Sequence, residues 1–360
     1  MGDFKESKRL YFALGDMEAV ARSEYLAGEW VLLEKSSARM NSDVGAYWNA
    51  LALWRQGRQA EALPKLKQIA SSGDLERSSH ARFLLAQRAL ESFRAIRMRD
   101  GADQAALLNK IKSFQSLSAE LNGIAKLGAG RWTIAALYLL GQANFELGKF
   151  IADSPLPAGL KQNEQSIYRR ELGKQAKQYI DGANSVFSQC METAERFEVF
   201  TRYVQGCQEK GRKLVKEEAD TIQVGNQKKF SPPKSARSLR TKLYDTPRDI
   251  SVLKELANAY IQDGQYWVAM TIFNRILEID EKSAAAMAGL GLSRMYVNDL
   301  DTAADWLKKA MKADASDAVA VWNLSGLYNE FGFKKRVKQL ESKRRAVPKP
   351  KVLHPMARKL

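Results

Sequence analysis

Towards the C-terminal end of the chain, apolar and small residues return at a fixed interval of 34 residues. Leu256, Leu290 and Leu324 hold one phase, and Ala257, Gly291 and Ser325 follow them directly. Ala269 and Ala303, Phe273 and Leu307, Ile276 and Ala310, and Asp280 and Asp314 repeat the interval later in the unit. Within a unit the apolar positions are three and four residues apart, the period of one buried helix face. A single pair of such helices cannot bury its apolar face alone. A strict period of this length therefore predicts hairpins stacked on one another. The small residues let paired helices approach closely, and Phe273 and Leu307 fill the space between units.

The same helical period returns in the first two of the five segments into which the chain reads: 1–130, 131–220, 221–248, 249–346 and 347–360. In the first, Tyr47–Ile69 has the form of one hairpin, with Arg55-Gln56-Gly57 at the turn and Ala62, Leu66 and Ile69 on the second helix. Pro64 is tolerable there if it lies in that helix's first turn. Leu107, Ile111, Phe114, Leu117, Leu121 and Ile124 mark one face of a long helix. The second segment opens a hairpin with Leu137, Leu140, Gly141, Gly148 and Phe150. A loop around Pro155 and Pro157 interrupts it between Phe150 and Leu160, before Ala183, Phe187 and Cys190 complete the pattern. From Thr221 to Thr246, consecutive prolines without periodicity predict an extended linker. The fold class is all-α, a superhelix of hairpins with an inserted long hairpin in the middle.

Composition supports this reading, with 45% hydrophobic residues, 27% charged residues and only nine prolines in 360. No apolar run reaches the length needed to span a bilayer; the longest surrounds Ile134–Leu140. The N-terminus lacks the apolar segment and cleavage site of a secretory signal. That predicts a cytoplasmic protein, or a periplasmic one if the chain is processed. The net charge of +16 is concentrated in two places. Asn226–Leu243 carries six basic residues and no acid, and Lys334–Leu360 carries eleven against Glu341 alone. These two stretches account for the whole excess. A segment so basic, ending in Pro348, Pro350 and Pro355, is expected to be helical over Lys334–Ala346 and extended beyond Val347. Lys334, Lys335, Arg336, Lys338, Lys343, Arg344 and Arg345 are its candidate contacts to an acidic partner or polyanion.

Candidate chemistry is sparse. The chain has two histidines, His80 and His354, and lacks the HExxH, CxxC and GxSxG patterns. Gly141 to Gly148-Lys149 has the wrong spacing for a phosphate loop, and Gly128-Ala129-Gly130 follows no strand. His80 is expected to be a half-buried packing residue. Neither a catalytic centre nor a cofactor or metal site is indicated. Cys190 and Cys207 would lie at similar heights if a turn near Arg196 folds two helices together. A disulfide then competes with plain packing, and packing is favoured.

The 34-residue pattern resembles the tetratricopeptide repeat. With Ile250, Ala284 and Ala318 as first residues, signature positions fall on Leu253, Leu256, Ala257, Tyr260, Gly264, Tyr266, Ala269, Phe273 and Ile276 in the first unit. The second unit has Arg294 where the aromatic belongs, and the third keeps Tyr328 and Gly332. The resemblance implies a non-enzymatic scaffold that binds a protein or peptide on the concave face, at positions 2, 5, 9, 12 and 13. Lys254 and Asn258 match two positions of the carboxylate clamp of some family members, but Gly289, Val319 and Asn323 do not complete it. Leu292, Met295, Tyr296 and Trp322 instead suggest an apolar groove for a partner helix or peptide, unless the basic tail or a helix folds back over it. More loosely, Trp132 to Cys207, with Glu164-Gln165, Tyr168 and Leu172, is similar to deltaproteobacterial envelope and gliding-motility repeat proteins. That similarity implies work inside a larger bacterial assembly. The competing expectation is an adaptor that binds nucleic acid or an anionic surface through the basic tail and linker.

Overall fold

Helix forms where the three-and-four spacing runs, and several of the turns between helices use glycine or asparagine at positive φ. The computed structural model describes residues 9, 11–40, 42–98, 103–211 and 231–360; helices but no strands occur among them. They divide into two compact units, one within residues 11–211 and the other within 231–360.

The N-terminal unit contains α1 (Met17–Ala27), α2 (Trp30–Ser37), α3 (Asp43–Arg55), α4 (Gln59–Ala70), α5 (Leu75–Ala95), α6 (Gln104–Leu127), α7 (Gly130–Ala152), α8 (Gln162–Phe197) and α9 (Arg202–Gln208). From α1 to α8 each helix packs on the next. The α3–α4 turn is made by Gly57 at φ 78°, and Ala62, Leu66 and Ile69 are buried as their spacing requires. Pro64 lies in the second turn of α4 rather than the first.

The middle of this unit departs from the regular hairpin. Gly148 does not end the first helix of this hairpin, because α7 runs through it to Ala152. The glycine serves close approach instead: a Cβ there would lie 2.9 Å from Ile180 Cγ1 and 3.0 Å from the Ala176 carbonyl oxygen. Gly141 does the same for Phe187, whose ring would be 2.5 Å from an added Cβ. The chain then leaves helix over residues 153–161, around Pro155 and Pro157, before the 36-residue α8 begins. After Glu198, in the left-handed region at φ 54°, α9 folds back against α7 and α8. Tyr203 on α9 meets Tyr138 and Phe83 at centroid distances of 5.6 Å. Cys190 and Cys207 are bonded, with Cα atoms 6.2 Å apart. The preference for plain packing is thus corrected: the turn considered near Arg196 falls at Glu198 and brings the two sulfurs together.

His80 is buried rather than half-buried. It stacks on Trp132 at 4.0 Å, its Nδ1 is 2.8 Å from the Tyr47 hydroxyl, and the Trp132 indole N–H donates to Glu76 at 2.8 Å. Lys110 is also buried: its ammonium donates to the Phe93 carbonyl oxygen at the end of α5 and lies over the Phe93 ring. Burial pushes this lysine down to about 8.

The C-terminal unit begins earlier than the repeats. Residues 221–230 of the expected linker lie outside the described residues, but α10 (Ala236–Asp245) is a docked helix and not an extended segment. Ala236 is fully buried, and Leu239 and Leu243 pack on the same core, a three-and-four spacing masked by the surrounding basic residues. The repeats follow as α11 (Ile250–Gln262), α12 (Tyr266–Ile279), α13 (Ala284–Tyr296), α14 (Leu300–Ala313), α15 (Ala318–Glu330) and α16 (Lys334–Ala346). The helix starts recur every 34 residues. Gly264, Asn298 and Gly332 occupy equivalent turns at φ 79°, 61° and 69°, so asparagine takes the left-handed position in the second hairpin. Arg294, at the missing aromatic position, pairs with Asp299 just beyond that turn. Gly289 and Gly291 admit Phe273 and Leu307, whose side-chain atoms would come within 2.2 and 2.6 Å of an added Cβ. A last helical turn, α17 (Pro355–Arg358), packs on α15.

The interior glycines are therefore not equivalent. Gly291→Ala should destabilise the C-terminal unit by about 1–3 kcal/mol through overpacking. Gly123→Ala, in α6 with nothing within 4 Å of the new methyl, should stabilise the N-terminal unit by about 0.5–1 kcal/mol. Thermal unfolding of the two variants should show shifts of opposite sign; shifts of the same sign would contradict the packing assignment.

Candidate functional site

The first helices of the three hairpins, α11, α13 and α15, present the positions from which a concave face would be built. The structure distributes the predicted groove residues unevenly. Lys254 is exposed and Asn258 half-buried on α11, and both stand clear of the contacts described next. Leu292 and Met295 are buried, at 1% and 2% exposure, so they do not form an open groove floor. Leu292 belongs to the core of the C-terminal unit, against which Tyr296, Val319 and Val352 also pack. Tyr296 is half-buried and stacks face to face on Tyr266 at 4.4 Å. Trp322 is buried against Leu353 and Ala357.

The C-terminal segment does this covering. It was expected to be extended beyond Val347, but it reverses after α16 and lies along α15. The cause is local. Val352, Leu353 and Ala357 are apolar residues in a basic stretch, and Pro355 preorganises the first position of a helical turn. His354 caps that turn, its Nδ1 accepting from the Met356 N–H at 3.3 Å.

Main-chain groups of the segment are matched one by one. The Tyr296 hydroxyl donates to the Leu353 carbonyl oxygen at 3.0 Å, and the Arg358 Nε–H donates to the same oxygen at 3.1 Å. The Asn323 side-chain oxygen accepts the His354 N–H at 2.9 Å, while its amide nitrogen donates to Val319. Gly326 makes the approach possible: a Cβ there would lie 2.4 Å from the Ala357 Cα and 2.6 Å from its nitrogen. Charges complete the contact. Lys359 pairs with Glu330 at 2.7 Å, and the cations of Lys349 and Arg344 lie 5.0 and 5.2 Å from the Trp322 ring centre.

Asn323, Gly326 and Glu330 meet Leu353, His354, Ala357 and Lys359 in this contact, and the three tail residues Leu353, His354 and Ala357 were not among the candidates read from the sequence. Gly326 and Glu330 do fall on concave repeat positions. The available signal was a pair of apolar residues four apart, flanking His-Pro, inside a basic tail. The basic residues of α16 behave differently. Lys334, Lys335, Lys338, Lys343 and Arg345 remain exposed, Arg336 and Arg344 are half-buried, and Arg345 pairs with Glu341. No group of three or more His, Cys, Asp or Glu side chains that could hold a metal ion occurs among the described residues. Nor is any helix among them long and apolar enough to cross a membrane.

Stacked hairpins recurring at 34 residues, with small residues at their crossings, make this an all-α fold of the tetratricopeptide type. No family model matches the chain, and no curated protein does. Among solved structures it is similar to yeast Sti1 in its TPR2AB-domain complex with pHSP90, at 13% identity over 95% of this chain and 97% of that one, with a TM-score of 0.24. It is also similar to yeast Tom70, at 13% identity over 96% and 85%, TM-score 0.28. The Cut9–Hcn1 hetero-tetramer of the APC/C matches at 12% identity over 98% and 90%, TM-score 0.29.

Burial pushes His354 down to about 4, helped by the nearby positive charge of Arg358 and Lys359 and opposed by Glu330. The docked tail thus excludes a proton that the free tail binds below its ordinary value of 6.5. Docking should hold at full strength above pH 6.5 and weaken by up to about 3 kcal/mol as pH falls towards 4. An NMR titration of His354 should show a midpoint near 4. A midpoint near 6.5 would mean an undocked tail.

Proposed function

We propose that the chain is a protein-interaction scaffold, not an enzyme, and that the C-terminal array captures a peptide of its partner on the face formed by α11, α13 and α15. The observation that carries this reading is that part of the face already holds a peptide segment. Residues 351–360 are bound through main-chain hydrogen bonds, two apolar side chains and an ion pair, the means by which a groove takes a foreign segment. Lys254 and Asn258 form the end of the face that the tail leaves uncovered. Work within a larger bacterial assembly, in an envelope or motility setting, rests on the resemblance of Trp132 to Cys207 alone. The buried Cys190–Cys207 bond favours an oxidising compartment and so supports the processed, periplasmic alternative. A photo-crosslinking residue at Asn258 should yield a discrete protein adduct in native lysate. The same residue at Lys312, exposed on α14, should not. Equal adducts from both positions would defeat the reading.

A second reading is favoured by the exposed cations of α16, which could contact an acidic surface or polyanion while the tail stays docked. Binding of the chain to heparin should then fall steeply with salt, and Lys334→Glu with Lys338→Glu should lower the log–log slope by roughly 1–2. An unchanged slope would remove α16 from consideration.

A further inference from the structure

The tail's position differs from what a terminal cap requires. A capping element covers the open edge of the last repeat, here the outer side of α16. Residues 351–360 instead lie across the inner helices, touching α13 through Tyr296 and α15 through Trp322, Asn323, Gly326 and Glu330. Trp322, Gly326, Glu330 and Tyr296 all stand at concave repeat positions. Gly326 is the most telling of them. Within α15 its lack of a side chain weakens the helix, and the space it leaves is filled by the Ala357 main chain.

We propose that residues 351–360 are an exchangeable occupant that closes this groove, and that the partner's binding segment is a basic peptide of the same design. That design is an apolar side chain for Trp322, a proline-opened helical turn, an alanine-sized residue over Gly326, and a Lys or Arg for Glu330. The proposal rests on the scaffold reading and specifies its ligand and its regulation. A segment tethered by the few residues after α16 has an effective concentration in the millimolar range. For an intrinsic Kd on the order of 0.1 mM and an effective concentration on the order of 10 mM, such a groove would be closed about 99% of the time. An external peptide is then weakened about 100-fold. The tail therefore needs only modest contacts to act as a gate.

The test uses the full chain and, as probe, a fluorescein-labelled synthetic peptide of residues 349–360, with binding read by anisotropy. The wild-type groove is filled, so the peptide should bind weakly. Leu353→Asp with Ala357→Asp, which expels the chain's own tail, should strengthen binding at least 30-fold. Adding Gly326→Ala to that variant should abolish the gain, because the new methyl stands where Ala357 must lie, while leaving α15 helical. Equal binding by wild type and the tail-released chain would overturn the gate. So would absence of binding to a tail-released chain that retains its helicity.

Should the tail-released chain lose helicity, hydrogen exchange on the wild type decides. The amides of 351–360 must open well before those of α15, and opening only together with α15 would make the tail a fixed part of the fold. The broader reading is separated by the Asn258 crosslink. Peptide binding without any adduct sinks the scaffold reading and leaves the gate standing. An adduct unchanged by tail release and not competed by the peptide sinks the gate and leaves the scaffold.

Discussion

The fold depends on backbone-to-side-chain approach at positions where a Cβ is missing. Gly289 against Phe273, Gly291 against Leu307 and Gly141 against Phe187 all place ring or branched-carbon atoms closer than 3 Å to where a methyl would stand. Each contact draws two helices together and lets a large apolar side chain fill the crossing, so packing density is kept without a shared sheet. Gly326 uses the same device for a different end. The group that enters its space is a length of main chain from the C-terminus and not a neighbouring helix, which converts a packing rule into a docking rule.

That distinction explains why the array was legible in the sequence and its site only partly so. A hairpin repeat writes itself out three times, and 34-residue spacing from Leu256 to Leu324 was enough to place six helices. The turn at Asn298 was not read from the repeat, although asparagine is the residue after glycine best able to take a positive φ. Single events leave weaker traces. Leu239 and Leu243 in α10, and Leu353 and Ala357 in the tail, are two-residue apolar signals inside runs of lysine and arginine. The charge dominated the reading of both segments. Gly148 was ambiguous in principle, since a glycine that ends a helix and a glycine that lets another helix approach have the same spacing. The disulfide needed knowledge of tertiary path, the return of α9 onto α8, that local pattern does not encode.

The groove shows how misleading side-chain type can be without its neighbours. Leu292, Met295, Tyr296 and Trp322 look like one apolar surface when read off repeat positions. In the fold they separate by depth: Leu292 and Met295 are core, and Tyr296 and Trp322 are the layer that meets the tail. The polar residues fix the register of the tail. Asn323 is held by its bond to Val319 so that its oxygen faces the His354 N–H, and the Tyr296 hydroxyl is aimed at a carbonyl oxygen. A site that recognises main chain at two points and side-chain size at a third discriminates by shape and register more than by hydrophobicity.

Charge links the groove to the basic surface. Lys359 and Lys349 are held by Glu330 and Trp322 through the docked tail, whereas Lys334, Lys335, Lys338, Lys343 and Arg345 of α16 are exposed beside it. A polyanion that contacts only the exposed cations of α16 meets the same groups whether the tail is docked or released, and through those contacts it does not shift their balance. A polyanion that also takes up Lys349 or Lys359 must compete with Glu330 and Trp322, and so favours the open groove. By reciprocity, a peptide that fills the groove and frees the tail must strengthen that polyanion's binding by the same factor. The two functional readings of this chain are therefore independent if the acidic partner stops at α16, and coupled if it reaches the tail.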